Sequence, residues 1–219
     1  DAVLAKERER IAAKGPVVVA DYAKPTPQPH GKKAYTLQVV RVSFSDRMCH
    51  AREIEKSICT VVADYFGRVS RGTFVLKGRV AAEGVALACT RETFEGMPLR
   101  SKGELETLGE ALKKVDRSGA DGVALVLAGG VGKEGGALWP HRWEVGGIDV
   151  VLLPEEAGGR ELGIYAHEIG HLFGFEDQYD DPRSEVGAWC LYGKGYAEKE
   201  PSGICAGCLE KAGWRPVVT

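Results

Sequence analysis

The chain has 219 residues, a hydrophobic fraction of 44%, a charged fraction of 27% and a formal net charge of −2. That length suits one large domain or two small ones with ample material for a core. The near-neutral charge leaves no basic footprint for nucleic acid, and no apolar run approaches the ~20 residues that a membrane span needs.

Residues 2–14 read as a short charged helix stopped at Gly15-Pro16, and Val17-Val18-Val19 as a short strand. A proline-rich connector, Lys24 to Gly31, follows, so residues 1–33 form an N-terminal extension and 34–219 the main domain. The extension is expected to be a pro-segment remnant or an accessory strand and helix; it holds no cysteine. The chain begins at Asp1 rather than Met, and a secreted protein with its signal peptide removed is the expectation.

The β-branched run Tyr35 to Phe44 predicts a strand. Residues 50–66 predict a helix with Ile54, Ile58, Val61, Val62 and Tyr65 as its apolar stripe. A second strand is expected over 73–80, an amphipathic helix over 103–117 and a third strand over 122–127. Gly129 to Gly136 lacks the Lys-Ser/Thr pair of a phosphate-binding loop and reads as a flexible loop. Trp139-Pro140-His141-Arg142-Trp143 comes next, with a strand near 137–144 expected to border the cleft and align an extended peptide. Ile148 to Leu153 is a further strand, and Glu155 and Glu156 are placed near the start of the next helix, where its dipole favours them.

That helix carries His167-Glu168-Ile169-Gly170-His171, an H-E-x-x-H pattern. Residues four apart share a helix face, so His167 and His171 can present two imidazoles to one ion. Glu168 can reach a water on that ion and act as general base. Leu162, Tyr165, Ile169 and Phe173 are expected to face the core. Catalytic zinc sites use three protein ligands and leave the fourth position to water. Gly174 is placed to end the helix in a left-handed turn that swings Asp177 back to the metal. Glu176 is the competing third ligand.

Six cysteines occur: Cys49, Cys59, Cys89, Cys190, Cys205 and Cys208. Six allow 15 pairings. Cys205-x-x-Cys208 lacks the context of a redox pair and an evident second pair of zinc ligands, so a disulfide from Cys190 that pins the tail under the helix is expected. Asp180, Asp181 and Glu185 form an acidic loop without EF-hand spacing, which reads first as solvated.

From about residue 34 to 216 the chain resembles the immune inhibitor A family of secreted zinc metallopeptidases, which belong with the metzincins. The resemblance rests on Val42-Ser43-Phe44-Ser45-Asp46, on Tyr65 to Gly72 followed by Leu76-Lys77-Gly78, on Asp116 to Asp121, and on Trp139 to Trp143. The zinc segment, His167 to Asp181, is its specific part, and Lys211-Ala212-Gly213-Trp214 closes it. The resemblance implies an α+β, metzincin-like domain: a mixed twisted sheet, a backing helix, a central active-site helix and an irregular C-terminal subdomain. It implies zinc held by His167, His171 and Asp177, with calcium as a second candidate cofactor, and Glu168 as general base in the hydrolysis of peptide bonds. A protein or peptide substrate and a monomeric state are expected.

Two positions depart from the family. Tyr192, in Gly187 to Gly193, stands where metzincins carry a methionine beneath the metal, and Leu191 or Tyr192 is expected to supply the apolar floor. Glu176 stands where proline is common. The departure at Tyr192 keeps a catalytically silent zinc-binding domain as the alternative function. Tyr192, Tyr196 and His141 are the candidate oxyanion donors, each with a competing role in packing.

Overall fold

The computed structural model describes residues 33–50, 52–179 and 186–214. The expected helix and strand of the N-terminal extension lie outside them, as do Asp180, Asp181 and Glu185 and with them the calcium expectation.

Six strands form one mixed sheet: β1 (Ala34–Ser43), β2 (Val75–Val80), β3 (Val85–Ala86), β4 (Gly122–Gly130), β5 (His141–Val145) and β6 (Ile148–Glu156). The order is β2-β1-β4-β6-β5, with β3 also pairing β1. All pairings are parallel except β5 with β6, which is antiparallel. One row across the sheet runs Val39, Ala124, Val151, Arg142. The central strands β4 and β6 are buried along almost their whole length. Parallel strands covered on both faces read as near-continuous apolar runs, which is why Val123 to Ala128 and Val150 to Leu153 show no alternation.

The expected helix over 50–66 is α1 (Arg52–Ser57) running through a π-helical turn (Ile58–Val62) into α2 (Ala63–Val69). The wider turn changes the phase of the apolar stripe. Ile58, Val62, Tyr65 and Phe66 are buried, whereas Val61, expected on the core face, is 45% exposed. A short α3 (Arg91–Glu95), N-capped by the Thr90 side chain, was not expected; α4 (Lys102–Leu112) is capped by Ser101 and ends five residues before the expected limit. The antiparallel β5 covers the second half of the expected 137–144 strand, extends to Val145 and forms one edge of the sheet.

The glycine-rich loop after β4 is held rather than free. Gly132 N–H donates to Leu138 O, Leu99 N–H to Gly135 O, and Ala137 N–H to Met97 O. At the end of β4, Gly129 takes φ +92° beside the Glu155 carboxylate. Glu155 and Glu156 do not stand at a helix start: they are the last two residues of β6, and Glu155 accepts from the backbone N–H groups of His50 and Gly129.

α5 (Glu161–His171) packs on β6, β5 and the π-helical turn, and Tyr165 donates from its hydroxyl to Pro154 O at 2.8 Å. The chain then runs through short 3₁₀ turns to α6 (Ala206–Lys211). The expected α+β arrangement of mixed sheet, backing helix, central site helix and irregular tail is present. No helix among the described residues is long and apolar enough to cross a membrane.

Candidate metal centre

The first carboxylate of α5 is Glu161, not Glu155 or Glu156. Its Oε1 accepts from the N–H groups of Ala157 and Gly159, closing the loop that enters the helix. Burial alone would raise its pKa, but these hydrogen bonds and the charge of Arg160 outweigh burial and lower it. From there Tyr165 and Ile169 are fully buried and Phe173 nearly so, with Leu162 partly covered, matching the expected core face. Ala166 and Leu172 are buried too, because the C-terminal tail covers the helix from the other side.

The helix ends as its glycine requires. Gly174 has φ +88°, its N–H donates to His171 O, and Phe175 N–H reaches back to Gly170 O. This pair of bonds is a Schellman cap, which only a residue at home in the left-handed region closes cheaply. The reversal returns Asp177 to the helix. Asp177 Oδ1 stands 3.0 Å from His167 Nε2 and 3.5 Å from His171 Nε2, and the two Nε2 atoms are 3.2 Å apart. Glu176, the competing ligand, has an exposed side chain.

These three distances have a simple meaning. His167 Nδ1 pairs with Leu191 O at 3.1 Å and His171 Nδ1 with Phe175 O at 2.8 Å. Each Nδ1 must carry a proton to donate to a carbonyl, so a neutral ring presents a lone pair at Nε2. Two such lone pairs and a carboxylate oxygen therefore face one another in a buried pocket, an arrangement that calls for a cation between them. A tetrahedral zinc with bonds of about 2.0–2.1 Å spaces its ligand atoms about 3.3–3.4 Å apart, which matches the three observed edges. The residues fit a zinc ion.

The close approach of these groups shifts their pKa values in opposite directions. Burial would lower the pKa of His167, but the Asp177 carboxylate against it and the charge of Glu168 outweigh burial and raise it. Burial would raise that of Asp177, but His167 and His171 lower it. Glu168 is buried, and a carboxylate oxygen lies within 4.8 Å of the imidazole ligand atoms, close enough to reach a water between them.

Three tyrosines surround His167. Tyr192, weighed as an oxyanion donor, is wholly buried, its ring 5.3 Å from His167, 5.7 Å from His171 and stacked at 4.7 Å on Phe175. It is the floor under both imidazoles, in the position where a methionine was expected, and its buried hydroxyl is not in an open cleft. The helix accommodates this floor through glycines: a Cβ on Gly170 would fall on the Tyr192 hydroxyl, and one on Gly163 would meet Tyr196 O. Residues seven apart share a helix face, so the tail lies along one glycine-lined stripe. Tyr196 places its ring 4.7 Å from His167 and is partly buried. Burial first, and then the charges of Asp177 and Glu168, raise its pKa.

Tyr179 was not singled out in the sequence. Its ring lies parallel to that of His167 at 6.1 Å, and its hydroxyl hydrogen-bonds Asp177. A position two residues beyond a third ligand was the only available signal. His141 stands apart from this group. Its Nδ1 is 2.6 Å from Trp139 O and its Nε2 is 3.0 Å from Glu104 Oε1, so both nitrogens are engaged in a buried contact between β5 and α4.

The expected disulfide is not formed. All six cysteines are free thiols, and Cys190 Sγ is 3.8 Å from Cys208 Sγ, against about 2.05 Å for a bond.

No protein-family model matches the sequence, and no curated protein matches it. Among solved structures the chain is similar to metalloproteinase-II from Bacteroides fragilis, at 14% identity and a TM-score of 0.49, over 87% of this chain and 58% of that one. It is similar also to wild type OgpA from Akkermansia muciniphila, at 11% identity and a TM-score of 0.49, over 85% of this chain and 62% of that one. The chain thus spans less than two thirds of the length of either protein.

Proposed function

We propose that the chain is a zinc-dependent endopeptidase domain of the immune inhibitor A type. One observation carries this reading: Nε2 of His167, Nε2 of His171 and Oδ1 of Asp177 lie 3.0–3.5 Å from one another, with Glu168 beside them. Those three atoms would hold the ion. Zinc supplies Lewis acidity when bound, polarising a carbonyl and lowering the pKa of a water ligand toward about 7.

The remaining steps belong to the chain. Leu191 O and Phe175 O hold the two rings so that their Nε2 atoms would be the ones to bind the ion. Glu168 takes the proton of the attacking water on a carboxylate oxygen and passes it to the leaving amine. Tyr196, whose raised pKa keeps its hydroxyl protonated at neutral pH, donates to the oxyanion that develops on the substrate. The free edge of β5 is suited to pair with an extended peptide. The stacked, buried Tyr192 favours activity over the silent alternative, because it fills the floor and excludes water as the missing methionine would.

The test is a peptide-library digest of wild type beside Glu168→Ala, with zinc measured on both. The expected result is cleavage by wild type and a fall of about 10²–10⁴ in rate for the variant, with zinc retained. Undiminished cleavage by the variant would overturn the mechanism. Stoichiometric zinc with no cleavage by wild type would favour the silent domain.

A further inference from the structure

A second group of metal-binding atoms lies in the tail. The Sγ atoms of Cys190, Cys205 and Cys208 all fall within 4.8 Å of one another. Cys190 and Cys208 are buried and Cys205 is partly exposed. Three thiols at one point are more than a disulfide uses, and the separation is wrong for one. A zinc ion with Zn–S bonds of about 2.3 Å in tetrahedral array spaces its sulfurs about 3.8 Å apart. The Cys190–Cys208 distance is 3.8 Å.

The backbone supplies a donor to one of the three sulfurs. Cys205 N–H donates to Cys190 Sγ at 3.4 Å. The Cys205-x-x-Cys208 spacing brings two sulfurs from one helix entry, as zinc-binding loops do, and Cys190 supplies the missing partner from 15 residues upstream.

We propose that Cys190, Cys205 and Cys208 form a second metal site for a thiophilic divalent cation, zinc foremost, with its fourth position open to water on the Cys205 side. Among the described residues no His, Asp or Glu joins the group. Binding breaks three S–H bonds and forms three S–metal bonds; the protons go to solvent and nothing is oxidised or reduced. The site ties α6 to the floor of the first centre. Cys190 O accepts from Gly193 and Gly195 N–H, Leu191 N–H donates to Gly203 O, and Leu191 O in turn holds His167 Nδ1. This site is independent of the peptidase reading, since its sulfurs belong to no part of that mechanism.

The test uses the His167→Ala/His171→Ala double variant, which removes the first centre and keeps all three thiols. Titration with cobalt(II) should give about one equivalent bound, with the near-ultraviolet charge-transfer absorption of a thiolate–cobalt centre. In parallel, wild type loaded with zinc should carry about two ions per chain and Cys205→Ser about one, with circular dichroism confirming that the variant is folded. Thiol titration of unfolded, metal-stripped wild type should find all six cysteines reduced. Absence of the charge-transfer band in the double variant would overturn the proposal. So would a thiol count reduced by an oxidised pair among Cys190, Cys205 and Cys208, or equal zinc in wild type and folded Cys205→Ser.

Discussion

Tyr179 and Tyr196 flank the same imidazole but differ in what their hydroxyls can reach. The Tyr179 hydroxyl is engaged with Asp177, so it positions that carboxylate. Tyr196 has its ring beside His167, is partly exposed and feels the charges of both Asp177 and Glu168. If Tyr196 supplies a hydrogen bond that forms only as the oxyanion develops, Tyr196→Phe should lower kcat by about 10²–10³ and leave KM nearly unchanged. Steady-state kinetics on a peptide substrate, with zinc content measured beside them, would show it. An equal loss in zinc content would assign Tyr196 to metal positioning instead.

At the scale of elements, α5 depends on close approach. A methyl group on Gly170 would fall on the Tyr192 hydroxyl, so the helix and the floor cannot both keep their places. Gly170→Ala should therefore destabilise the protein by about 1–3 kcal/mol, the usual cost of overpacking, and weaken zinc binding with it. Urea denaturation and a zinc competition assay would read the two effects separately. The entry to α5 gives a pH-dependent counterpart. The pKa of Glu161 is lower in the folded chain than in the unfolded one. Its stabilising effect is thus complete above the unfolded value of about 4.3 and is lost as pH falls through the lower folded value. Wild type should lose stability over that acid window more steeply than Glu161→Gln, measured as urea midpoints against pH.

The convergence of His167, His171 and Asp177 was legible in the sequence because its signals are local: four-residue spacing of histidines, a glycine that must turn left, and an aspartate three residues on. The signals that failed depend on partners distant in the chain. Val61 fits an α-helical stripe, and only the π-helical turn at Ile58–Val62 carries it to solvent. Tyr192 was weighed both as a floor and as a donor, and the burial that makes it the floor is decided by Gly170 and Phe175, residues distant in the chain. The cysteines suggested a disulfide by count, while the meeting of three sulfurs depends on how the tail folds back.

Across the whole molecule, one aromatic cluster joins the two ends of the described chain to the site. Trp214 stacks on Phe74 at 4.3 Å and on Phe173 at 6.0 Å, and meets Phe66 and Phe175 edge-on at 6.1 and 5.0 Å. Tyr35 of β1 reaches the same group through Phe173 at 5.1 Å. Phe175 is the residue whose carbonyl holds His171, so the packing of the tail bears directly on an imidazole of the candidate site. Removing a buried tryptophan costs about 3–5 kcal/mol. Trp214→Ala should lower stability by that order and should also loosen the Phe175 backbone, weakening zinc affinity although Trp214 lies outside the ligand set. Thermal denaturation with and without chelator separates the two parts. The variant should unfold earlier than wild type under both conditions, and the stabilisation that zinc adds should be smaller in the variant, because stabilisation by a ligand follows its affinity for the folded state. An unchanged zinc increment would show that the cluster supports the fold without tuning the site.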